Sequence, residues 1–223
     1  MSILVLDSGA GGYDFISKMK RGIKQNNSVQ FQKIFKNKLV SEYGKKYIKF
    51  NLMKLLHKVT KKNVKFLVIA CHSASSCILD NFLKGSFCLN DICIYEPIIP
   101  TCKYITEKNY KKILILSTEI TAKIGWHRRL LSNKNVEIKY LTFPTLAKKI
   151  ENSDSDLEKS IMKLSRKKKF LEDCDCVILG CTHYNTIKEL ITDNLRNKYN
   201  FTGDILDSNE ILLNHITKVE TVV

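Results

Sequence analysis

FLVIACHSAS (66–75) and CVILGCTHYN (176–185) are the two stretches that decide how this chain folds. Each is a short apolar run that ends on a cysteine, Cys71 or Cys181, and is followed at once by small hydroxyl residues or histidine. Runs of this length and composition read as buried parallel strands, each delivering a thiol to the start of a following helix. A second matched pair, ILVLDS (3–8) and ILILST (113–118), ends in carboxylate or hydroxyl residues. Both pairs are offset by 110 residues. One offset shared by two independent strand pairs predicts two halves built on one plan, each bringing one thiol to a common cleft.

Working outward, strands are expected at 2–6, 29–34, 65–70, 92–95, 112–116, 135–140, 175–179 and 203–206. Helical spacing falls between them. Ile48, Leu52, Leu55, Leu56 and Val59 recur at three- and four-residue steps, and Leu157, Ile161, Leu164 and Leu171 mark a helix over 157–171, with N-caps available at Ser153, Asp154 and Ser155. Alternating strands and helices predict three-layer α/β/α packing on mainly parallel sheets. YEPIIP (95–100) carries two of the three prolines and reads as a hinge. The first half-domain is therefore drawn as 1–96 plus 206–223 and the second as 97–205. Ligands of open α/β sheets bind at the carboxyl ends of the strands, and Asp7, Ser8, Cys71, Ser73, Thr118, Cys181, Thr182 and His183 all fall there.

Bulk properties narrow the functional classes. The chain has 223 residues, 44% of them apolar, enough for a sizeable core. No apolar run reaches the length of a membrane span, and the opening ILVLDS reads as a core strand rather than a secretory signal. Eight cysteines are too sparse for a disulfide scaffold, so a reducing cytoplasm is expected. Cys174, Cys176 and Cys181 lack the spacing of a zinc site, and no metal is expected. Cys77, Cys88, Cys93, Cys102, Cys174 and Cys176 read as small core hydrophobes. The net charge of +15 raises nucleic acid as a partner, yet the lysines are scattered and only RKKK (166–169) forms a block. Attraction of an anionic substrate is the more economical use of that field.

Two facing thiols have four uses: a redox disulfide, a metal site, a covalent nucleophile with His183 as base, or a pair of proton carriers on opposite faces of one carbon. A symmetric site suits the last best, because inverting a stereocentre removes a proton from one face and returns it on the other.

The motifs themselves resemble a known family. LDSGAGG (6–12), EYG (42–44), ACHSAS (70–75), STEIT (117–121) and LGCTHY (179–184) are similar, in order and over nearly the whole chain, to the FDSGxGG, PYG, ACNTAS, ATxGT and LGCTHYP motifs of cofactor-independent glutamate racemases of the aspartate/glutamate racemase superfamily. The resemblance implies two α/β domains about a pseudo-twofold axis with the active site between them. It implies interconversion of L- and D-glutamate without pyridoxal phosphate or metal, in the cytoplasm, commonly as a homodimer, to supply peptidoglycan. Cys71 and Cys181 would be the catalytic acid/bases, assisted by Asp7 and His183, with Glu151 as a further acidic residue. Ser8, Tyr43, Gly44, His72, Ser73, Thr118, Thr121 and Thr182 would hold the substrate. Departures fall at His72 for asparagine, Ser73 for threonine, Glu42 for proline, Lys36 near an aspartate position and Ile120 for glycine. His72 leaves open a racemase of another acidic amino acid such as aspartate, and the basic surface leaves open a racemase-like binding protein without turnover.

Overall fold

A computed structural model describes residues 2–22, 28–61, 63–83 and 92–220. The first half runs β1 (Ser2–Asp7), α1 (Ala10–Gly22), β2 (Ser28–Lys33), α2 (Lys45–Val59), β3 (Phe66–Ile69), α3 (His72–Leu83) and β4 (Cys93–Tyr95), and α4 (Ile98–Glu107), which packs on the second sheet, follows. The second runs β5 (Lys112–Ser117), α5 (Glu119–Ile124), α6 (Trp126–Leu130), β6 (Glu137–Thr142), α7 (Leu146–Glu151), α8 (Leu157–Ile161), α9 (Lys168–Leu171), β7 (Cys176–Gly180), α10 (Thr182–Thr186), α11 (Lys188–Tyr199), β8 (Asp204–Asp207) and α12 (Ser208–Glu220).

The strands form two four-stranded parallel sheets, ordered β2-β1-β3-β4 and β6-β5-β7-β8. The second order is the first with every strand advanced by four, so the halves share one topology. Cys71 follows the third strand of its half and Cys181 the third strand of the other.

Strand periodicity explains the layers. Successive side chains of a strand point to opposite faces. Leu4 and Leu6 pack with Leu67, Ile69 and the α2 residues Ile48, Leu52 and Leu56. Ile3 and Val5 face the other way, onto Phe15 and Met19 of α1 and Leu212 and Ile216 of α12. In the second sheet Leu114, Leu116, Val177 and Leu179 pack with Leu146, Leu164 and Leu195, while Ile113, Ile115 and Ile178 pack with Ile98 and Ile105 of α4. Sheets covered on both faces need apolar side chains at both parities, which is why the central strands are continuous apolar runs.

Three local expectations are corrected. The stretch 157–171 is not one helix: α8 passes into a 3-10 turn over Met162–Lys167 before α9. After Leu164 the next helical positions hold Lys167 and Lys168, so the chain tightens to bring Phe170 and Leu171 into the core. The N-cap of α8 is Asp156, without a side-chain cap bond, and Asp154 Oδ1 instead accepts from the Asp156 N–H at 2.8 Å. Cys93 is exposed rather than buried, because it opens the edge strand β4. Cys88 lies outside the described residues.

Candidate active site

All four central strands stop where the two halves meet, and each hands its last residues to that meeting point. At the end of β1, Asp7 is fully buried. Its carboxylate accepts from the Thr182 hydroxyl of the other half, at 3.1 and 3.3 Å to its two oxygens. Burial pushes the Asp7 pKa up, against the pull of the His183 charge and the Ser8 and Thr182 hydrogen bonds. The glycines of LDSGAGG allow this approach: a Cβ on Gly9 would stand 2.2 Å from Glu151 Oε2, and one on Gly11 2.5 Å from the carbonyl carbon of Thr182.

Cys71, between β3 and α3, lies 4.0 Å from the Ser8 hydroxyl. Burial raises its thiol well above the ordinary range, and the nearby Asp7 adds to this. From the end of β5, Thr118 hydrogen-bonds Ser73 of α3 at 2.8 Å and Thr121 at 3.1 Å. Cys181 is the N-cap of α10, with Thr182 and His183 as the first two residues of that helix.

His183 Nε2 meets Glu151 Oε2 at 3.0 Å. Burial alone would depress its imidazole, but hydrogen bonds to Cys181 and Glu151 and the charge of Asp7 raise it to about 10. Glu151 is held correspondingly low, at about 2, by the His183 hydrogen bond, the Ala10 N–H at 2.6 Å and the Lys33 ammonium at 3.0 Å. The Glu151 contact links the two shifts, and the Cys181 hydrogen bond raises His183 further.

Ser8, Ser41, Cys71, His72, Ser73, Thr118, Ala147, Cys181, Thr182 and His183 line one narrow recess. Both thiols therefore reach one cavity from equivalent turns of the two halves. His72 is buried there with neither ring nitrogen hydrogen-bonded. Its desolvated ring, beside His127 at 6.4 Å between centroids, is held neutral with a pKa of about 3. Of the other residues singled out from sequence, Asp7 stands behind Thr182, Thr121 behind Thr118, and Glu151 behind His183. Tyr43 and Gly44 do not line the recess. Tyr43 stacks on Tyr47, with ring centroids 4.9 Å apart, and Gly44 caps α2. Ser41, two residues before Tyr43, lines the recess in their place. Sequence reading also passed over Lys33, whose signal is its register directly beside Asp7 across β1 and β2.

Residues 36–216 match the Asp/Glu/Hydantoin racemase family. The chain belongs to that family. By class the protein is an amino-acid racemase. A glutamate racemase of Clostridium acetobutylicum is 31% identical over 197 residues, covering 84% of this chain and 73% of that one. A glutamate racemase of Staphylococcus epidermidis is 29% identical over 185 residues, covering 81% and 68%. The crystal structure of the glutamate racemase isoform RacE1 from Bacillus anthracis superposes with a TM-score of 0.83 at 22% identity, covering 99% of this chain and 81% of that one, so the two-domain fold of the enzyme is shared. Among the described residues no group of three or more His, Cys, Asp or Glu is arranged to hold a metal ion, and no helix is long and apolar enough to cross a membrane.

Proposed function

We propose that this enzyme interconverts L- and D-glutamate by a two-base mechanism in which Cys71 and Cys181 work on opposite faces of the α-carbon. The observation that carries the reading is the arrival of both thiols in one recess from topologically equivalent turns. One sulfur enters as thiolate and takes the α-proton, breaking the C–H bond and leaving its electron pair on the substrate. The other enters as thiol and returns a proton to the opposite face. At the end the two sulfurs have exchanged protonation states, and no redox change has occurred.

The surroundings suit unequal partners. The His183 imidazolium stands beside Cys181, while buried Asp7 stands on the Cys71 side. Ser8, Ser73, Thr118 and Thr182 offer hydroxyls to the substrate carboxylates, and neutral His72 offers one donor and one acceptor. Thr121 orients Thr118, and Tyr43 and Gly44 shape the turn that carries Ser41. The reaction so drawn uses neither pyridoxal phosphate nor metal. We place the enzyme in the cytoplasm, as a homodimer, supplying D-glutamate to peptidoglycan.

His72 favours a second reading at the level of substrate, because a buried neutral ring stands directly beside Cys71 on the lining of the recess, and the alternative substrate is another acidic amino acid such as aspartate. Incubation in deuterated water with glutamate, aspartate and related amino acids separates the two. Deuterium is expected at the α-carbon of the inverted product for glutamate, and Cys71→Ser and Cys181→Ser are each expected to abolish turnover. Exchange with aspartate alone would transfer the assignment to aspartate. Exchange with no amino acid, or full turnover by either serine variant, would end the two-base reading.

A further inference from the structure

We propose that Lys33 is a positioning residue of this racemase, locking the Glu151 carboxylate across the cleft so that Glu151 in turn holds His183 against Cys181. The proposal rests on the two-base reading above. Its starting point is the way Glu151 divides its oxygens. Oε2 takes the Ala10 N–H and the His183 ring, and Oε1 takes only Lys33 among the described residues. Ala10 and Lys33 belong to the first half, whereas Glu151 and His183 belong to the second. The carboxylate is thus pinned from three sides, and among the described residues Lys33 is the one cationic side chain of the first half that bonds it.

The backbone explains why this lysine is in reach. Lys33 is the last residue of β2, an edge strand, and sits in register beside Asp7. Its side chain emerges at a pocket lined by Ser8, Lys36, Lys38, Glu42, Lys148 and Glu151, which adjoins the thiol recess at Ser8. The groups around the Glu151–His183 pair are then Asp7 from β1, Cys71 from the turn after β3, Cys181 on the same turn as His183, Lys33 from β2, and the Lys148–Glu42 ion pair across the pocket mouth. Only Lys33 among these bonds the Glu151 oxygen that His183 leaves free.

Loss of Lys33 has two opposing electrostatic consequences. Removing a cation near His183 favours its protonation. Releasing Glu151 removes the oriented anion that keeps it protonated. Charge in direct hydrogen-bonded contact outweighs a cation one group further away, so the second effect wins and the His183 pKa falls.

Thermodynamics supplies a second signature. Enantiomers have an equilibrium constant of one, so kcat/KM is the same in the two directions for every variant. A residue that changes the energy of the Cys181 thiolate relative to its thiol shifts the two substrate complexes unequally, because only one of them holds Cys181 as thiolate, so the two kcat values change by different factors and the KM values compensate. A residue that merely supports the fold lowers both alike.

The test compares Lys33→Met, Lys33→Arg and Lys36→Met, the last a control that removes a charge from the same pocket without contact to Glu151. The His183 imidazole is titrated by NMR, its resonance assigned by its loss in His183→Gln, and kcat and KM are measured from both enantiomers across pH. Lys33→Met is expected to lower the His183 pKa, to move the alkaline limb of kcat/KM to lower pH, and to lower the two kcat values by factors that differ about two- to fivefold, the range expected for a partly exposed ion pair. Lys33→Arg restores most of each effect, and Lys36→Met produces none. A His183 titration that stays in place or moves upward in Lys33→Met, equal losses in the two kcat values, or the same changes in Lys36→Met would overturn the proposal. Wild-type protein that exchanges no α-proton would instead overturn the two-base reading, and the NMR titration still judges the hold of Lys33 on His183.

Discussion

A methyl group on Gly11 has nowhere to go. It would meet the backbone and side chain of Thr182 within 2.6 Å, and Thr182 is part of the other half. Replacing a helical glycine by alanine ordinarily gains up to about 1 kcal/mol. Here the clash must push α10 off α1 and stretch the bond between Thr182 and Asp7, a form of overpacking that costs about 1–3 kcal/mol. Gly11→Ala is therefore expected to lower stability in urea unfolding despite its better helix propensity. Gly22→Ala, with nothing within 4 Å, is expected to leave it unchanged or higher. The glycines were legible in the sequence as part of a motif. The reason for them was not, because the atoms that Gly9 and Gly11 make room for belong to Glu151 and Thr182, far along the chain in the other half. His72 is a similar case: its place beside Cys71 is sequence information, while its two unpartnered ring nitrogens are a property of the closed cleft.

At the scale of elements, α4 is fastened by a buried acid. Glu96 accepts from the Ile98 and Ile99 N–H groups, each at 2.7 Å, which caps the helix that YEPIIP leads into. Burial raises its pKa to about 7 against the lowering effect of those two bonds. Between its ordinary value of 4.5 and about 7, folded Glu96 holds its proton while the unfolded residue has lost it. The folded state then binds more protons, so stability falls as pH rises through that window. The wild type is expected to lose up to roughly 3 kcal/mol from this group across the window. Glu96→Gln keeps an acceptor oxygen for the cap and cannot ionise, so its unfolding free energy should be flatter over the same range. Equal pH slopes in both proteins would contradict the account. The strands were readable one by one because each buries both faces and so shows as an apolar run. The helix expected over 157–171 failed where Lys167 and Lys168 occupy the positions that should face the core; the spacing marked Leu171 as inward, but gave no warning that Phe170 would be drawn in beside it.

Across the whole molecule, the chain closes on itself through its last helix. β8 completes the second sheet, yet α12, which follows without a break, packs Leu212 and Ile216 into the core of the first half. Contacts between α1 and α10 and between α12 and α4 tie the halves further. Neither half then has a complete core of its own. Leu212→Ala is expected to cost about 2–5 kcal/mol, as truncation of a fully buried leucine does, and both halves should still unfold in one transition. Two separated melting steps in calorimetry would show that α12 does not couple them.

The sequence by itself determined the repeated plan: apolar strands at a common offset, a thiol at the end of the third strand of each half, and the turn residues that follow. Those features depend on local chemistry, on side-chain volume, strand periodicity and the small residues a tight turn requires. Only the tertiary structure decided which polar groups meet around each thiol. It placed Asp7 under Thr182, His183 against Glu151 and Glu151 under Lys33, and it left His72 without a partner. Those relations join residues far apart in the chain, and their strength comes from the exclusion of water when the two halves close, which no stretch of sequence contains.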